Sequence, residues 1–249
     1  MNAILYVAGR ATRLGERAGN RHKVLLEFDG QTLLERHVLM LARLRVPKLF
    51  VVTGHRREQL QAEFPRLSAR YGVEIEELFN ADFTEGSALS MHASLPALEA
   101  ARDSVLLMDG DVLYGFAMLQ RLRESPLSTA LLVDRGYSTA DDDPVLVPMR
   151  GGKPFDFVKG WRGEADAVGE SVGFFKIGAA DLPLLIAETR ARIAGAGRAD
   201  SYDDILRVLA RDGRFGAVDV TGLPWTEIDF PADVDYANRV VLPALRETN

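Results

Sequence analysis

No cysteine occurs in the 249 residues. Disulfides, thiolate nucleophiles and cysteine-ligated metal centres are therefore excluded. Histidine is scarce as well. His22, His37, His55 and His92 are the only four, and none stands in a recognisable base–nucleophile pattern. No apolar run is long enough to span a bilayer, and the chain opens on a core-like strand with no leader pattern before it. A cytoplasmic protein is the expectation, with no membrane insertion. No basic tract offsets the formal net charge of −6, which argues against nucleic acid as the main partner. Gly-x-Gly-x-x-Gly is missing from the first turn, which weakens a dinucleotide-dependent dehydrogenase. Internal repeats, linkers and low-complexity stretches are missing too, so residues 1–249 are read as a single domain. What remains is an ordinary globular composition, 47% hydrophobic and 27% charged.

Short apolar runs alternate with amphipathic stretches. Residues 3–8, 49–53, 73–75, 104–108 and 130–134 read as buried strands. Residues 24–28 read as a short strand closed by Asp29-Gly30. Thr32 and Glu35 make a capping box ahead of a helix whose stripe is Leu34, Val38, Leu41 and Leu44, with Pro47 as its stop. Further helices are expected over 58–71, from about 87 to 100, and over 181–194. Ser201 caps another, and Pro231 opens a last one with Val234, Ala237, Val241 and Leu245 on one face. Residues 138–143 read as a polar, acidic, solvated loop. Gly151-Gly152 joins two runs into a hairpin that Pro148 and Pro154 place at a sheet edge. The pattern is α/β: a Rossmann-like mixed, mostly parallel sheet flanked by helices, with a small edge hairpin.

Two places carry chemistry. The first strand feeds Ala8-Gly9-Arg10-Ala11-Thr12-Arg13, with Lys23 ten residues on. Backbone amides of a small-residue loop can cradle phosphate, Arg13 can grip two of its oxygens, and Lys23 adds a mobile charge. Taken alone, such a loop also fits a plain strand–helix connection. Downstream, a buried strand delivers Asp109-Gly110-Asp111 at its carboxyl end, the edge where open α/β sheets bind ligands. Mg²⁺ takes one or two carboxylates together with phosphate oxygens and water. A turn-forming Asp pair is the alternative.

These stretches resemble the signatures of the sugar-phosphate and alcohol-phosphate nucleotidyltransferases. Ala8-Gly9, Thr12-Arg13, Lys23 and Gly30 fall in register with the family's first loop, whereas Ala11 and His22 replace its usual Gly and Pro. With a negative φ at Ala11, the loop is a tightened version of the family's; a positive φ there is the conformation that favours glycine. His22 is read either as lining the site or as a surface loop residue. The resemblance implies nucleotide binding by Ala8, Gly9, Arg10, Ala11 and Thr12, and base binding by Asn80, Gly86 and Ser87. A helix cap at Ser87 fits the same residues. It implies Mg²⁺ on Asp111 and on Asp229 of Trp225-Thr226-Glu227-Ile228-Asp229, with Asp109 beside the substrate. It further implies Lys159 on the phosphate of the second substrate, and Glu170 and Ser171 beside the acceptor.

By the same resemblance the reaction is in-line attack of an ionised phosphate on a nucleoside triphosphate, with loss of pyrophosphate and no general base. Arg13, Lys23 and Lys159 supply the charge. The short chain looks most like cytidylyltransferases that use CTP and a small phosphorylated alcohol such as phosphocholine, 2-aminoethylphosphonate or inositol 1-phosphate. A quaternary ammonium would want aromatics and acid, for which Trp161, Phe174, Tyr202, Trp225 and Asp203 are available. Core packing accounts for the same aromatics. Sugar-1-phosphate nucleotidyl transfer, a glycosyltransferase using Asp109-Gly110-Asp111, and a non-catalytic nucleotide-binding module are the rivals. Assembly into a homo-oligomer is compatible with the sequence.

Overall fold

The computed structural model describes residues 1–17, 19–137 and 144–248. The loop read at 138–143 lies outside them. Strand β1 (Asn2–Tyr6) leads into a 3₁₀ segment (Thr12–Arg17), and a second 3₁₀ turn (Lys23–Leu25) precedes β2 (Glu27–Phe28) and β3 (Gln31–Thr32). The single strand expected over 24–28 thus starts as a 3₁₀ turn and is extended only at Glu27–Phe28. Its start is capped by His22, whose side chain accepts from the Val24 amide. Asp29 and Gly30, at φ 57° and 72°, form the two-residue hairpin loop that such positive angles favour. Thr32 caps α1 (Leu33–Arg43), accepting from the Glu35 amide at 3.1 Å. Only this half of the expected box forms its cap bond, because the Glu35 carboxylate turns to Arg70 at 2.9 Å and Tyr71 at 2.7 Å.

Next come β4 (Lys48–Thr53), α2 (Arg57–Tyr71), β5 (Glu74–Phe79), α3 (Ala88–Ala93) and α4 (Leu95–Ala100). The helix expected to run unbroken to residue 100 is interrupted at Ser94, because Pro96 has no N–H to continue the ladder and sits in the first turn of a new helix. Then follow β6 (Val105–Asp109), β7 (Val112–Tyr114), α5 (Phe116–Glu124), β8 (Ala130–Asp134), β9 (Val145–Arg150), β10 (Lys153–Pro154), β11 (Val158–Lys159) and the long β12 (Ala167–Ile177). The remainder is α6 (Leu182–Ala194), α7 (Tyr202–Arg211), β13 (Gly216–Asp219), β14 (Trp225–Glu227), α8 (Pro231–Tyr236) and α9 (Leu242–Thr248), the last two joined by a π turn.

Ten strands form one sheet in the order β10-β9-β12-β6-β1-β4-β5, with β8, β11 and β13 attached beside it. Strands β5, β4, β1 and β6 are parallel, and β12 runs antiparallel to β6. Pro154 lies in an outermost strand as expected. Pro148 does not, since β9 pairs with β10 on one side and β12 on the other. Successive side chains of β1 enter opposite faces: Ala3 and Leu5 pack with α1 and α2, Ile4 and Tyr6 with α3, α4, α6 and α7. Both faces are buried, so the strand reads as a continuous apolar run. Strand order reverses at β1, whose neighbours are β4 on one side and β6 on the other. The crevice at their carboxyl ends is where such sheets bind ligands.

Candidate active site

The loop after β1 and the turn after β6 face each other across that crevice. The loop is pinned by Val7, which donates to Val52 O at 3.0 Å, and by Ala8 O, which accepts from the His55 amide at 3.0 Å. Gly54 is required beneath it, because a Cβ there would lie 2.6 Å from Phe83 Cβ and 2.7 Å from Ala8 O. Gly9, Arg10 and Thr12 are exposed on the crevice side of the anchor and Leu14 is buried. Ala11 has φ 52°. The tightened loop with negative φ is therefore corrected: the chain takes the left-handed turn at this position with a methyl in place. The conformation costs a non-glycine residue about 1–2 kcal/mol. His22 is neither at the surface nor lining the site. It is buried, holds Val7 O through Nε2 at 2.9 Å, and its amide donates to Gln59 Oε1 at 2.7 Å. Burial pushes its pKa down to about 4. It fixes the start of the turn from which Lys23 projects.

Glycine at position 110 is dictated by packing. A Cβ would come within 2.2 Å of Val7 Cγ1, and the Gly110 amide donates to Tyr6 O at 3.1 Å. Its carbonyl lies 3.0 Å from Nε2 of the fully buried His37, whose Nδ1 faces Tyr114 OH at 3.3 Å. Asp109 and Asp111 thus flank a peptide held on both sides. Gly173 (φ 77°) makes room for Asp109: a Cβ there would sit 2.2 Å from Asp109 Oδ2. Tyr202 OH donates to the Asp109 carboxylate at 2.6 Å, and its ring stacks on Tyr6 at 5.3 Å. Burial first, and then the neighbouring Asp111 charge, pushes the Asp109 carboxyl well above the usual range.

Strand β14 completes the site. It pairs antiparallel with β7, and the Ile228 amide donates to Asp111 O at 2.9 Å. This brings Asp229 beside Asp111. Lys23 Nζ lies between them, 2.7 Å from Asp111 Oδ2 and 2.6 Å from Asp229 Oδ1, with its side chain only 13% exposed. Arg13 reaches the other Asp229 oxygen at 3.3 Å. Burial alone would lower the Lys23 pKa, but the two carboxylates reverse that and raise it. Burial likewise tends to raise Asp229, and Lys23 followed by Arg13 holds it below the ordinary value instead. The Asp233 carboxylate accepts from the amides of Asp229 and Phe230 at 2.8 and 2.7 Å, which fixes the entry to α8.

Two cavities open from this centre. The larger, about 410 Å³, is lined by Arg13, Asp134, Lys159, Glu170, Trp225, Glu227, Asp229 and Tyr236 among others. The smaller, about 220 Å³, is lined by Ser87, Asp109, Asp111, Lys159, Ser171, Gly173, Ser201, Tyr202, Asp203 and Glu227, with Val145. Lys159 and Glu227 border both. Arg13, Lys159, Glu170, Ser87, Asp109, Asp111, Ser171, Tyr202 and Asp229 therefore converge. Other expected site residues have different surroundings. The Asn80 amide is committed at both ends, to Ser90 Oγ at 3.1 Å and from the Asp82 amide at 3.0 Å. A Cβ on Gly86 would strike the backbone of Arg198 and Asp200, so its smallness serves chain packing. Ser87 does line the smaller cavity, and its Oγ accepts from the Tyr202 amide at 2.9 Å. Trp161 packs edge-on against Phe155, centroids 6.3 Å apart, and lines neither cavity.

Sequence reasoning passed over two residues. Glu227 points into both cavities, and burial, then the charges of Asp111, Asp109 and Asp229, pushes its carboxyl well above the usual range. The available signal is its position two residues before Asp229 on an extended segment, which puts both on one side. His37 interrupts the inward stripe of α1 between Leu34 and Leu41, a polar residue where an apolar one is expected.

The donor set suits a hard divalent cation. Among the described residues, no group of three or more His, Asp and Glu side chains can hold a metal alone. Two carboxylate oxygens that reach the same ammonium are near enough to share one cation, and Mg²⁺ completes such a shell with phosphate and water.

A family model described as a MobA-like NTP transferase domain matches residues 3–172, which span β1 to the middle of β12 and include Lys23 and Asp111. The chain belongs to this family. Relatives of this NTP transferase include a CMP-5′-(3-aminopropyl)phosphonate synthase of Streptomyces rubellomurinus, 28% identical over 96% of this chain and 38% of the relative. A bifunctional IPC transferase and DIPP synthase of Rubrobacter xylanophilus is 29% identical over 97% of this chain and 52% of the relative. The transferase thus spans only about two-fifths and half of these relatives' lengths. Its fold is shared with the inositol-1-phosphate CTP transferase from T. maritima, with a TM-score of 0.77 at 21% identity over 99% of this chain and 95% of the other. The CTP:phosphocholine cytidylyltransferase from Streptococcus pneumoniae superposes with a TM-score of 0.72 at 16% identity over 96% and 98%.

Proposed function

We propose that this NTP transferase moves a cytidylyl group from CTP to a small phosphorylated or phosphonate acceptor that carries an ammonium group, releasing pyrophosphate. The observation that carries the nucleotidyl transfer is the convergence of Lys23, Arg13, Asp111 and Asp229 at the sheet's switch point, beside the loop after β1. The relatives named for CMP-aminopropylphosphonate synthesis and IPC transfer favour CTP as the donor. The acceptor reading rests on charge. The smaller cavity gathers Asp109, Asp111, Asp203 and Glu227 against Lys159. A cationic head entering this pocket would draw the raised carboxyls back toward their ionised form and be held by them, which a neutral polyol would not, and Lys159 suits the phosphate or phosphonate end.

The chemistry needs little covalent participation from the protein. The acceptor oxygen is ionised near neutral pH, so positioning and charge neutralisation dominate. Arg13 and the amides of the loop after β1 hold the leaving pyrophosphate, and Lys23 neutralises charge at the reacting phosphate. Asp111 and Asp229 would hold Mg²⁺, which supplies Lewis-acid neutralisation of the phosphates when bound. No helix of the described residues is long and apolar enough to cross a membrane. A cytoplasmic site of action belongs to the proposal. The test is pyrophosphate release with Mg²⁺ and CTP against phosphocholine, 2-aminoethylphosphonate and inositol 1-phosphate. Turnover with an amine-bearing acceptor is expected. Nucleotide binding without turnover would favour a regulatory module.

A further inference from the structure

Lys23 has a position that the transfer reaction alone does not require. Its ammonium bridges Asp111 and Asp229, at 2.7 and 2.6 Å, and little of it meets solvent. Those two carboxylates come from distant parts of the chain, one after β6 and one after β14. Asp109 and Glu227 crowd the same pocket and share its wall with Asp111. Without a cation between them the pair would repel across a partly dry gap. Lys23 therefore holds the carboxylates together in the nucleotide-free protein. It does so at the place where a divalent cation would bind, and an incoming phosphate would offer the same ammonium another anion.

We infer that Lys23 is a built-in counter-ion that guards the metal site: it excludes free divalent cations from the nucleotide-free enzyme and leaves the carboxylates only when a triphosphate offers it a new partner. This rests on the metal-site reading of Asp111 and Asp229. The enzyme then takes its metal together with the nucleotide rather than beforehand. The advantage is physical. An ammonium released from two carboxylates needs another anion, and the triphosphate is the substrate that brings one.

The test is Mn²⁺ binding to the full chain without nucleotide, followed by electron paramagnetic resonance of free Mn²⁺. Wild type is compared with Lys23→Met and with Lys23→Met combined with Asp229→Asn. Lys23→Met should bind Mn²⁺ at least about tenfold more tightly than wild type, since two charge-assisted bonds no longer compete. The double variant should lose that gain. Equal binding by wild type and Lys23→Met, or weaker binding by the variant, overturns the inference. Should Lys23→Met fail to fold, thermal melting of wild type decides. Mn²⁺ alone should leave its midpoint unchanged while Mn²⁺ with CTP raises it, and an equal rise with Mn²⁺ alone overturns the guard. Turnover of wild type with Mg²⁺ and CTP is measured on the same preparation. Its presence alongside equal Mn²⁺ binding removes the guard and keeps the transferase; its absence removes both.

Discussion

Acid should weaken the site's scaffold through His37. This imidazole is fully buried between Gly110 O and Tyr114 OH, and burial pushes its pKa from 6.5 down to about 4. The unfolded chain then binds more protons than the folded one between those values, so stability falls as pH falls. The contribution is fully present above about pH 6.5. Each pKa unit corresponds to about 1.4 kcal/mol, so roughly 2 kcal/mol from this residue is lost by about pH 5, and about 3 kcal/mol at most. Asp203 works in the opposite direction. Burial raises it from 3.8 to about 6, so its contribution is present at low pH and lost as pH rises through 6. Wild-type stability alone therefore mixes signs. The difference between wild type and His37→Gln isolates the residue, because glutamine can still donate to Gly110 O and does not titrate. Urea unfolding near pH 7.5 and about pH 5 should show that difference shrinking by roughly 2 kcal/mol in the acid. A difference independent of pH would refute a neutral, buried His37.

Gly173→Ala places a methyl where Asp109 Oδ2 lies, 2.2 Å away, at φ 77°. Thermal melting should show a loss of about 1–3 kcal/mol, and turnover should fall with it; a variant like wild type in both would mean that Asp109 moves freely. Ala11→Gly relieves the left-handed alanine and should leave nucleotide affinity unchanged or slightly improved, with stability within about 1 kcal/mol of wild type. Calorimetric titration with CTP checks it, and a collapse in binding would show that the methyl itself is needed. Asp111→Asn and Asp229→Asn should each cut Mg²⁺-dependent turnover by roughly a hundredfold or more. Retention of the full metal-dependent rate would remove that residue from the site.

The parallel half of the sheet was legible because its strands are buried on both faces and read as unbroken apolar runs, residues 3–8 being the plainest. The placing of Asp109-Gly110-Asp111 at a strand's carboxyl end was legible because the apolar run before it breaks there. Long-range pairing was not. Lys23 and Asp229 are 206 residues apart, and nothing local says that their side chains meet at 2.6 Å. His22 stands where a proline was expected and looked like a loop residue, yet three hydrogen bonds bury it. The sign of φ at Ala11 is set by the pinning of Ala8 and Leu14 on either side. Asn80 and Gly86 have the composition of a base-binding segment, but their polar atoms and their space are claimed by Ser90, Asp82 and the backbone at 198–200. Glu227 was within reach of a strand-period argument, which Ile228 between two acids already suggested.

Cytidylyl transfer to an amine-bearing phosphate or phosphonate has a direct readout. Pyrophosphate release is the direct measurement, with CTP, UTP, ATP, GTP and dTTP each crossed against phosphocholine, 2-aminoethylphosphonate, inositol 1-phosphate and hexose 1-phosphates, with Mg²⁺ and with EDTA. Release is expected with CTP and an amine-bearing acceptor, and EDTA should abolish it. Faster release with inositol 1-phosphate or a hexose 1-phosphate would contradict the acceptor assignment. Clear CTP binding with no release from any pair would contradict the transferase itself.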